Sequence, residues 1–565
     1  MDKIWQIQPR KHDDIIIQLL YNRGVISREN QNEKIEKFFH PNFESDLHNP
    51  SSLPDCGKAV SRFSQAVKKK EKIGIFADYD ADGIPGAAFL YKALKKLGLE
   101  SEVYIPNREA GYGLSKEGID LLISKKCSLI VTIDLGIKNI EEAKYCQAKK
   151  IDLIITDHHI PGETLPRAVA VVNPLIKGSK YPFSGLSGAA VIFKVVSALA
   201  KKSPEIDQSF LKWNLDLIAI STIADVVPIV DENRTIAKFG MIVLNKTKNI
   251  GLSELYKISG LELDKLSAYT VAFQIAPRIN APGRIDHATK SLQLLIAEDK
   301  NEAFKLAKWL NDKNVERQKT MDELIIEVCK KIEKDRSFDH NIISVAGDWM
   351  KGVLGPSANQ IVEKYYRPAI VFSSKDDIYS GSARSIEGVN IVEILAKVKK
   401  YLLRFGGHKG AAGLSVRKKD YENFRKSIIQ YCDKNIAKDL LARKIKVDAE
   451  LKSNELKLGL YDKISSFEPF GMGNPKPVFI CRNMKIEYPR IVGKEGKHLS
   501  AYLSNGDFRF KAIYFNYGKD HDIIKNNSIC DIAFSLSDDN WNNERKLCLN
   551  IIDLKHNSEN DLIRN

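Results

Sequence analysis

The feature that most constrains this chain is an alternation of short apolar runs with amphipathic segments between residues 72 and 157. The runs KIGIFAD, SEVYIP, SLIVTID and DLIITD are separated by segments with helical spacing, such as PGAAFLYKALKKLG. Strands that alternate with helices in this way are typical of a parallel, doubly wound sheet. We therefore predict an α/β domain, with further helices at 188–200 and 211–226 around the same sheet.

Three of these predicted strands end in groups of acidic residues and histidines, namely Asp78, Asp80 and Asp82, then Asp134, then Asp157, His158 and His159. Because open parallel sheets bind ligands at the carboxyl ends of their strands, we expect the three groups to converge in one crevice. A single DxD sequence is more often a loop or a cap, but three acidic strand ends favour a metal site. Oxygen ligands with one or two imidazoles and no thiolate suit Mn²⁺ or Mg²⁺, and such carboxylates could bridge two ions. Asp225, in STIADVVP, is the candidate for a further ligand from the helical side.

The rest of the chain divides by composition. Residues 301–336 contain neither Pro nor Gly and carry apolar residues at helical spacing, which predicts a long helix connecting two domains. A second α/β region with glycine-rich loops covers 337–445, and short alternating runs predict a small β-barrel over 446–565. An N-terminal segment at 1–50 and the first α/β domain at 51–300 complete the predicted organisation.

Composition narrows the classes of function. The chain has 87 Lys and Arg against 72 Asp and Glu, a net charge of +15, which makes a polyanion the first partner to consider. Free use of lysine in an AT-rich genome is an alternative explanation. Since no apolar run approaches the length of a membrane span and the start lacks a signal peptide's apolar region, we expect a cytoplasmic protein with no membrane association. Eight scattered cysteines without a CxxC pair argue against a zinc ribbon or a disulfide framework.

The order and spacing of several motifs resemble those of the DHH phosphoesterases. DYDADG, TIDLG, TDHH and ADVVP match the first four motifs of that family. The later motifs PRINAPGR, GSARS, LLRFGGHKGAAGL and FEPFGMGNPKPVF are similar to the RecJ branch, the single-strand-specific 5′ to 3′ DNA exonucleases of bacteria. The resemblance covers the chain from about residue 50. It implies a DHH catalytic domain, a DHHA1-type substrate-binding domain and a C-terminal OB-fold domain.

The resemblance also implies hydrolysis of phosphodiester bonds with two Mn²⁺ or Mg²⁺ ions. The implied metal ligands are Asp80, Asp82, Asp134, His158 and Asp225, with Asp134 bridging. Asp78 would be a further ligand or a supporting carboxylate, and Asp157 would orient a neighbouring imidazole. His159 would face the scissile phosphate as a proton donor or transition-state contact.

Substrate contacts are implied in the same way. A pocket for the 5′ phosphate would contain Arg108, Ser382 and Arg384, because guanidinium groups and hydroxyls suit phosphate oxygens. Arg108 could instead be a solvated loop cation. Tyr112 is a candidate for stacking on a base, although Gly-Tyr-Gly is also an ordinary turn.

Two further segments are candidates for contacts with the strand. PRINAPGR would place Arg278, Asn280 and Arg284 in a loop bounded by Pro and Gly, as a strand-binding lip. In FGGHKGAAG the glycines would let backbone N–H groups approach phosphates, with His408 as the polar contact. The alternative for these glycines is a tight turn.

The chain departs from the family pattern at several positions. Met350 and Gln360 stand where the family has His and Arg, so the resemblance does not imply the usual substrate contacts for that segment. Pro85 replaces a hydroxyl residue, and Pro282 replaces a small one. None of these changes removes an expected metal ligand, so we expect activity.

The leading hypothesis is therefore a single-stranded-DNA-specific 5′ to 3′ exonuclease of recombination and repair. Its partners would be single-stranded DNA and, as candidates, a helicase and a single-strand-binding protein, and we expect a monomer. One alternative is a DHH phosphodiesterase acting on short RNA or cyclic dinucleotides, but those relatives are shorter and lack the barrel. A second alternative is a non-catalytic DNA-binding scaffold, which would require lost ligands.

Overall fold

The computed structural model describes residues 3–28, 31–106, 113–374, 377–493, 496–517, 524–541 and 544–556. The described chain forms two compact units. The larger contains residues 5–106, 113–276 and 445–556, and the smaller is mainly residues 277–444. Among the helices of these ranges, none is both long enough and apolar enough to cross a membrane.

A five-stranded parallel sheet with the order β3-β2-β4-β5-β6 forms the centre of the larger unit. As far as residue 172 the elements are β1 (Ile4–Ile7), α1 (Ile15–Asn22), α2 (Asn32–Phe39), α3 (Cys56–Lys69), β2 (Ile73–Ala77), α4 (Gly83–Lys96), β3 (Ser101–Tyr104), α5 (Lys116–Ser124), β4 (Leu129–Ile133), α6 (Ile140–Ala148), β5 (Asp152–Thr156) and β6 (Ala170–Val172). All residues of β2 and β4 are buried, because helices cover both faces of the sheet. The predicted doubly wound sheet is confirmed. Its strand order reverses between β2 and β4, where such sheets bind ligands.

Helices continue the larger unit after the sheet. They are α7 (Gly188–Ala200), α8 (Gln208–Trp213), α9 (Leu215–Ala224), α10 (Asp231–Asn245), α11 (Ile250–Ile258), α12 (Ala268–Thr270) and a π-helical turn (Val271–Ile275). The helix predicted at 188–200 is α7. The single helix predicted at 211–226 is wrong, since α8 ends at Trp213 and α9 begins at Leu215. Asn214 lies between the two helices, and both its backbone N–H, at 3.2 Å, and its side-chain Nδ2, at 2.9 Å, donate to Phe210 O at the end of α8.

The smaller unit is a second α/β fold. Its elements are α13 (Ala276–Asn280), α14 (Pro282–Ile285), α15 (Thr289–Ile296), α16 (Lys300–Lys334), β7 (Ile343–Gly347), α17 (Leu354–Tyr365), β8 (Ala369–Ser373), β9 (Ile378–Arg384), α18 (Ile391–Lys397), β10 (Leu402–His408), β11 (Ala411–Arg417) and α19 (Tyr421–Asn435). The sheet order is β10-β11-β9-β8-β7, with only β7 and β8 parallel among these neighbours. The predicted long helix is confirmed as α16, whose C-terminal half contributes Leu324, Val328 and Ile332 to the core of this unit.

A closed β-barrel ends the chain, within the larger unit. Its elements are β12 (Lys444–Val447), β13 (Ala449–Glu450), α20 (Leu458–Ser465), β14 (Phe479–Val492), β15 (His498–Asn505), β16 (Phe508–Tyr514), β17 (Ile529–Trp541) and β18 (Glu544–His556). The order β14-β15-β16-β18-β17 closes through pairing of β14 with β17, which confirms the predicted OB-type barrel. Leu19, Leu20 and Phe38 from α1 and α2 pack into the core of this barrel.

The eight cysteines are all buried, and each is a free thiol. Burial raises the pKa of several of them, Cys56 and Cys127 to about 11. The thiols whose pKa is raised are therefore protonated core groups at neutral pH.

Candidate active site

The acidic strand ends lie next to one another because β2, β4 and β5 are adjacent parallel strands. Asp78 follows β2, Asp134 follows β4, and Asp157 follows β5. Asp225 approaches from the C-terminal end of α9. Among the residues that the structure describes, potential ligand atoms form three groups in which all atoms lie within 4.8 Å of one another: Asp78, Asp80 and Asp134; Asp82, His158 and Asp225; and Asp134, His158 and His159. Asp134 and His158 each belong to two of the groups.

His158 faces several carboxylates at once. Its Nε2 lies 3.1 Å from Asp134 Oδ1, 3.5 Å from Asp225 Oδ2 and 3.6 Å from Asp82 Oδ2. One imidazole N–H can satisfy only one of these acceptors well. Several carboxylate oxygens with one imidazole are a donor set that fits Mn²⁺ or Mg²⁺.

Electrostatics of the cluster also favour a cation. Burial, followed by the charges of Asp82, Asp80 and two other aspartates, raises the pKa of Asp134 well above its ordinary value. Burial and the neighbouring carboxylates raise the pKa of Asp225 to about 9, and burial and Asp82 raise the pKa of Asp80. Without a cation, ionisation of all these buried carboxylates together is therefore unfavourable. A bound cation would neutralise their charge and favour the ionised forms.

The turn Asp80–Gly83, with the sequence DADG, fixes the positions of Asp80 and Asp82. Asp80 Oδ1 accepts hydrogen bonds from the backbone N–H groups of Asp82, at 2.8 Å, and Gly83, at 3.1 Å. A Cβ atom on Gly83 would lie 2.5 Å from the carbonyl oxygen of Asp78. Only glycine therefore lets the chain fold back tightly enough to place both acids beside the end of β2.

Asp82 is held by three donors from two helices. Its carboxylate accepts from the N–H groups of Gly188 and Ala189, both at 2.7 Å, at the start of α7, where a helix favours negative charge. The Ser221 hydroxyl of α9 donates to Asp82 Oδ1 at 2.6 Å. It also lies 2.6 Å from the hydroxyl of Ser187, the N-cap of α7. These contacts set the orientation of the carboxylate before any cation binds.

None of these supporting residues is among the candidates that the sequence suggests. Ser187 carries a recognisable signal, because Ser before an apolar helical run is a typical N-cap. Gly188 carries none, although the structure shows why it is needed: a Cβ there would lie 2.5 Å from the Cβ of Asp134, so α7 can approach β4 only without a side chain. For Ser221, inside an apolar helix, the sequence offers no signal.

Asp157 supports His159. Its Oδ1 accepts from the N–H groups of His158 and His159 and lies 2.8 Å from His159 Nδ1, while Oδ2 accepts from Ile137 N at 2.9 Å. Burial alone would raise the pKa of Asp157, but the contact with His159 and these N–H groups lower it. Burial would lower the pKa of His159, but its contact with Asp157 raises it. The pair therefore favours a charged imidazolium next to an ionised carboxylate.

Two of the residues predicted for the 5′-phosphate pocket, Ser382 and Arg384, lie in the smaller unit, two positions apart on β9. Arg384 Nη1 donates to Ala383 O at 2.8 Å and to Ser382 Oγ at 3.2 Å. A Cβ on Gly355, in the first turn of α17, would lie 2.9 Å from Arg384 Nη2. The missing side chain at Gly355 therefore makes room for the guanidinium at a helix start. Arg108 and Tyr112 lie outside the described residues.

The loop predicted for PRINAPGR is wrong. This segment is helical, as α13 and α14, because Pro282 occupies the first position of α14 and the apolar Ile279 and Ala281 are buried. Arg278 Nε donates to Asn311 of α16 at 3.1 Å, and the side chain of Arg284 lies 3.5 Å from Gly352 O. Within the described part of the chain, Asn280 Oδ1 is buried without a hydrogen-bond partner.

The glycine segment at 402–414 forms two strands of a hairpin. β10 pairs with β11 up to His408 opposite Ala411, which leaves a two-residue connection, Lys409 and Gly410. His408 is exposed at the end of β10, which is the edge strand of its sheet. A tight turn, the alternative given for these glycines, is therefore present at residues 409 and 410, and contact of this segment with phosphates stays a prediction.

The proline departures from the family pattern are explained locally. Pro85 lies in the first turn of α4, and Pro282 begins α14. Proline is accommodated there because the N–H groups of the first turn have no partner within the helix.

Comparison with known proteins gives three family matches in chain order. The DHH family N-terminal domain matches residues 72–222, the DHHA1 domain 339–434 and the RecJ OB domain 447–553. The single-stranded-DNA-specific exonuclease RecJ of Bacillus subtilis (strain 168) is 34% identical over 556 residues, which cover 98% of this chain and 69% of that protein. This chain belongs to the RecJ family. The Escherichia coli (strain K12) RecJ is 31% identical, with 80% of this chain and 81% of the relative covered.

Solved RecJ structures share the fold. RecJ from Thermus thermophilus, in complex with Mn²⁺, superposes with a TM-score of 0.83 at 26% identity and covers 98% of this chain and 80% of that one. A second structure, exonuclease RecJ bound to manganese, has a TM-score of 0.59 at 31% identity over 68% of this chain and 95% of that one. The resemblance to the RecJ family seen in the motifs is confirmed.

Proposed function

We propose that this RecJ-family protein is a metal-dependent exonuclease that degrades single-stranded DNA in the 5′ to 3′ direction, in recombination and repair. The observation that carries the proposal is the cluster of acids and His158 at the ends of β2, β4 and β5, with each motif acid in place. The RecJ relatives from B. subtilis and E. coli are described as single-stranded-DNA-specific exonucleases, and RecJ structures contain Mn²⁺ or Mg²⁺. We infer two such ions here.

The three ligand groups suggest which residues would bind each metal ion and which residue would bridge them. Asp134 is the candidate bridging ligand, because it belongs to the group with Asp78 and Asp80 and also to a group with His158. Asp82 and Asp225 complete the set beside His158. Divalent ions held there would supply activation of water and neutralisation of charge in phosphodiester hydrolysis.

His159 is the candidate for contact with the scissile phosphate. The contact with Asp157 fixes the ring through Nδ1, and Asn173 fixes the backbone by donating to His159 O at 2.9 Å. Because the pKa of His159 is raised, the imidazole can carry a positive charge or hold a proton near neutral pH.

The smaller unit would bind the strand and its end. Arg384 and Ser382 offer a guanidinium and a hydroxyl for the 5′ phosphate, with Gly355 leaving them room. Arg278, Asn280, Arg284 and His408 remain candidate contacts to the strand, as do Arg108 and Tyr112. Because the proposed substrate is a single strand, a helicase and a single-strand-binding protein are the proposed partners of a cytoplasmic monomer.

Two alternatives are less well supported. A DHH phosphodiesterase for short RNA or cyclic dinucleotides would not need the closed barrel that matches the RecJ OB domain. A non-catalytic scaffold would not need to keep the buried carboxylates and their supporting hydrogen bonds, whose burial costs stability.

The deciding experiment is a digestion with Mn²⁺ of a 5′-phosphorylated single strand, labelled at either end. We expect early release of the 5′ label as a mononucleotide, late release of the 3′ label, and no digestion of a blunt duplex. Asp134→Asn serves as the matched inactive control. Digestion from the 3′ end only, or equal digestion of duplex, would contradict the proposal.

A further inference from the structure

The loop after Asp225 has a backbone conformation that its own sequence does not favour. Asp225 ends α9, and the next residue, Val226, has a φ of 58° in the left-handed region. This conformation is unfavourable for a β-branched residue, and Val226 is 62% exposed, so its own side chain contributes little packing. Other parts of the molecule must therefore hold the loop.

The turn at residues 471–474, before β14, lies directly against this loop. Ile229 N donates to Met472 O at 2.7 Å. A Cβ on Gly471 would lie 2.8 Å from Ile229 Cγ1, and one on Gly473 would lie 2.9 Å from Val230 Cγ1. The backbone of the turn therefore packs on residues 229 and 230 without room for side chains.

The turn itself is rigidly held. Gly471 and Asn474 exchange backbone hydrogen bonds of 2.9 and 3.1 Å. The buried side chain of Asn474 donates to Phe467 O at 2.7 Å and to Pro469 O at 3.0 Å. Arg23 Nε donates to Asn474 Oδ1 at 3.0 Å. A displacement of the turn would break several of these contacts together.

Two consecutive residues of α10 fasten the loop and the turn to one another. Asn233 Nδ2 donates to Pro228 O at 3.0 Å, on the loop side. Arg234 donates to Phe467 O and to Phe38 O, both at 2.8 Å, and its guanidinium lies 3.7 Å from the centre of the Phe38 ring. Burial lowers the pKa of Arg234 to about 9. A guanidinium buried at this cost and bound to carbonyl oxygens indicates a fixed junction.

We propose that the segment 467–474 of the C-terminal domain is a positioning element for Asp225, so that this domain sets the affinity of the catalytic centre for divalent metal. The inference rests on the metal centre proposed above. Asp225 is four residues before Ile229, and its carboxylate belongs to the ligand group with Asp82 and His158. A shift of a few tenths of an ångström in residues 229 and 230 is transmitted along this short loop to the ligand.

The test measures metal binding without turnover. Mn²⁺ is titrated calorimetrically into the full-length metal-free protein, and Asp225→Asn identifies the binding phase to which Asp225 contributes. Gly473→Ala forces a Cβ against Val230, and we expect it to weaken the same phase by about 10-fold, the lower end of the effects of supporting residues.

Gly506→Ala is the matched control. Gly506 lies in the same domain with a φ of 58°, like Gly473 with 77°, but a Cβ there would meet nothing within 4 Å. Both variants have the same kind of backbone strain, so only contact with the loop distinguishes them. Gly471→Ala, which presses on Ile229 without a left-handed backbone, is the second variant if Gly473→Ala fails to fold, and it should weaken the same phase.

Equal Mn²⁺ affinity in the Gly473, Gly471 and Gly506 variants would overturn the proposal and leave the junction with a purely structural role. A wild-type protein that binds no Mn²⁺ would overturn the metal centre itself and this proposal with it. The two failures are distinguishable, because the first leaves the wild-type titration intact.

Discussion

The Ser221 hydroxyl donates a 2.6 Å hydrogen bond to Asp82 Oδ1, across 139 positions of sequence. Both side chains are buried. Since a bound cation needs this carboxylate in one orientation, we predict that Ser221→Ala weakens Mn²⁺ binding by about 10-fold while the fold is kept. The measurement is the Mn²⁺ concentration that gives half-maximal nuclease activity, together with calorimetric affinity.

A control for Ser221→Ala is available on α7. The Ser197 hydroxyl donates to Phe193 O within its own helix, so its hydrogen bond supports no proposed ligand. Ser197→Ala should leave the Mn²⁺ requirement unchanged. If both variants behave alike, the hydroxyl of Ser221 contributes only to stability.

The raised pKa of Asp225 predicts a pH dependence of stability in the metal-free protein. Between its ordinary value of 3.8 and the folded value of about 9, the folded state binds more protons at this site than the unfolded state. Stability from this carboxyl is therefore present at low pH and is lost as pH rises through that interval. In EDTA, Asp225→Asn should gain in Tm over wild type as pH increases from about 5 to about 8.5.

Measuring the same Tm values with Mn²⁺ in place of EDTA complements this experiment. Bound cations replace protons as the neutralising charge, so Mn²⁺ should raise the Tm of wild type more at high pH than at low pH. A Tm difference between Asp225→Asn and wild type that is independent of pH would show that Asp225 is not responsible for the linkage.

The acids at the strand ends were predictable because chain order and strand direction determine where they lie. β2, β4 and β5 are consecutive neighbours in a parallel sheet, so residues that follow them must meet at one edge. Asp225 could be named from the sequence only as a candidate from the helical side, because the end of a helix has no fixed position relative to a sheet; the structure places it with Asp82 and His158.

Contacts between distant segments were not predictable in this way. Nothing local in Ser221 or Gly188 indicates the carboxylate that each one supports, because tertiary packing decides which segments meet. The helical state of PRINAPGR was missed for a related reason. Pro and Gly usually interrupt helices, but Pro282 stands at a helix start, where its missing N–H costs nothing.

The contact of Asp157 with His159 predicts a change in the pH profile of catalysis. Asp157 raises the pKa of His159, so Asp157→Asn should lower it and move the alkaline limb of the activity profile to lower pH. We expect the maximal rate to fall by about 10²-fold, the lower range for a group that helps stabilise transition-state charge. An unchanged alkaline limb would show that His159 does not act as a charged or proton-donating group.

Gly355 and Arg384 provide a test of how the strand end is recognised. A Cβ at position 355 would lie 2.9 Å from Arg384 Nη2, so Gly355→Ala should displace the guanidinium while keeping its charge. Since a hydrogen bond to a charged group contributes about 1.5–3 kcal/mol, we expect the preference for a 5′ phosphate over a 5′ hydroxyl to fall by roughly 10-fold or more. Arg384→Lys should act similarly, because an ammonium lacks the planar fork that suits phosphate.

Arg417→Lys, at an exposed strand end of the same sheet, is the control and should leave the preference intact. The measurement is the ratio of kcat/KM for the two 5′ ends; equal losses on both ends would show that Arg384 attracts DNA only by its charge.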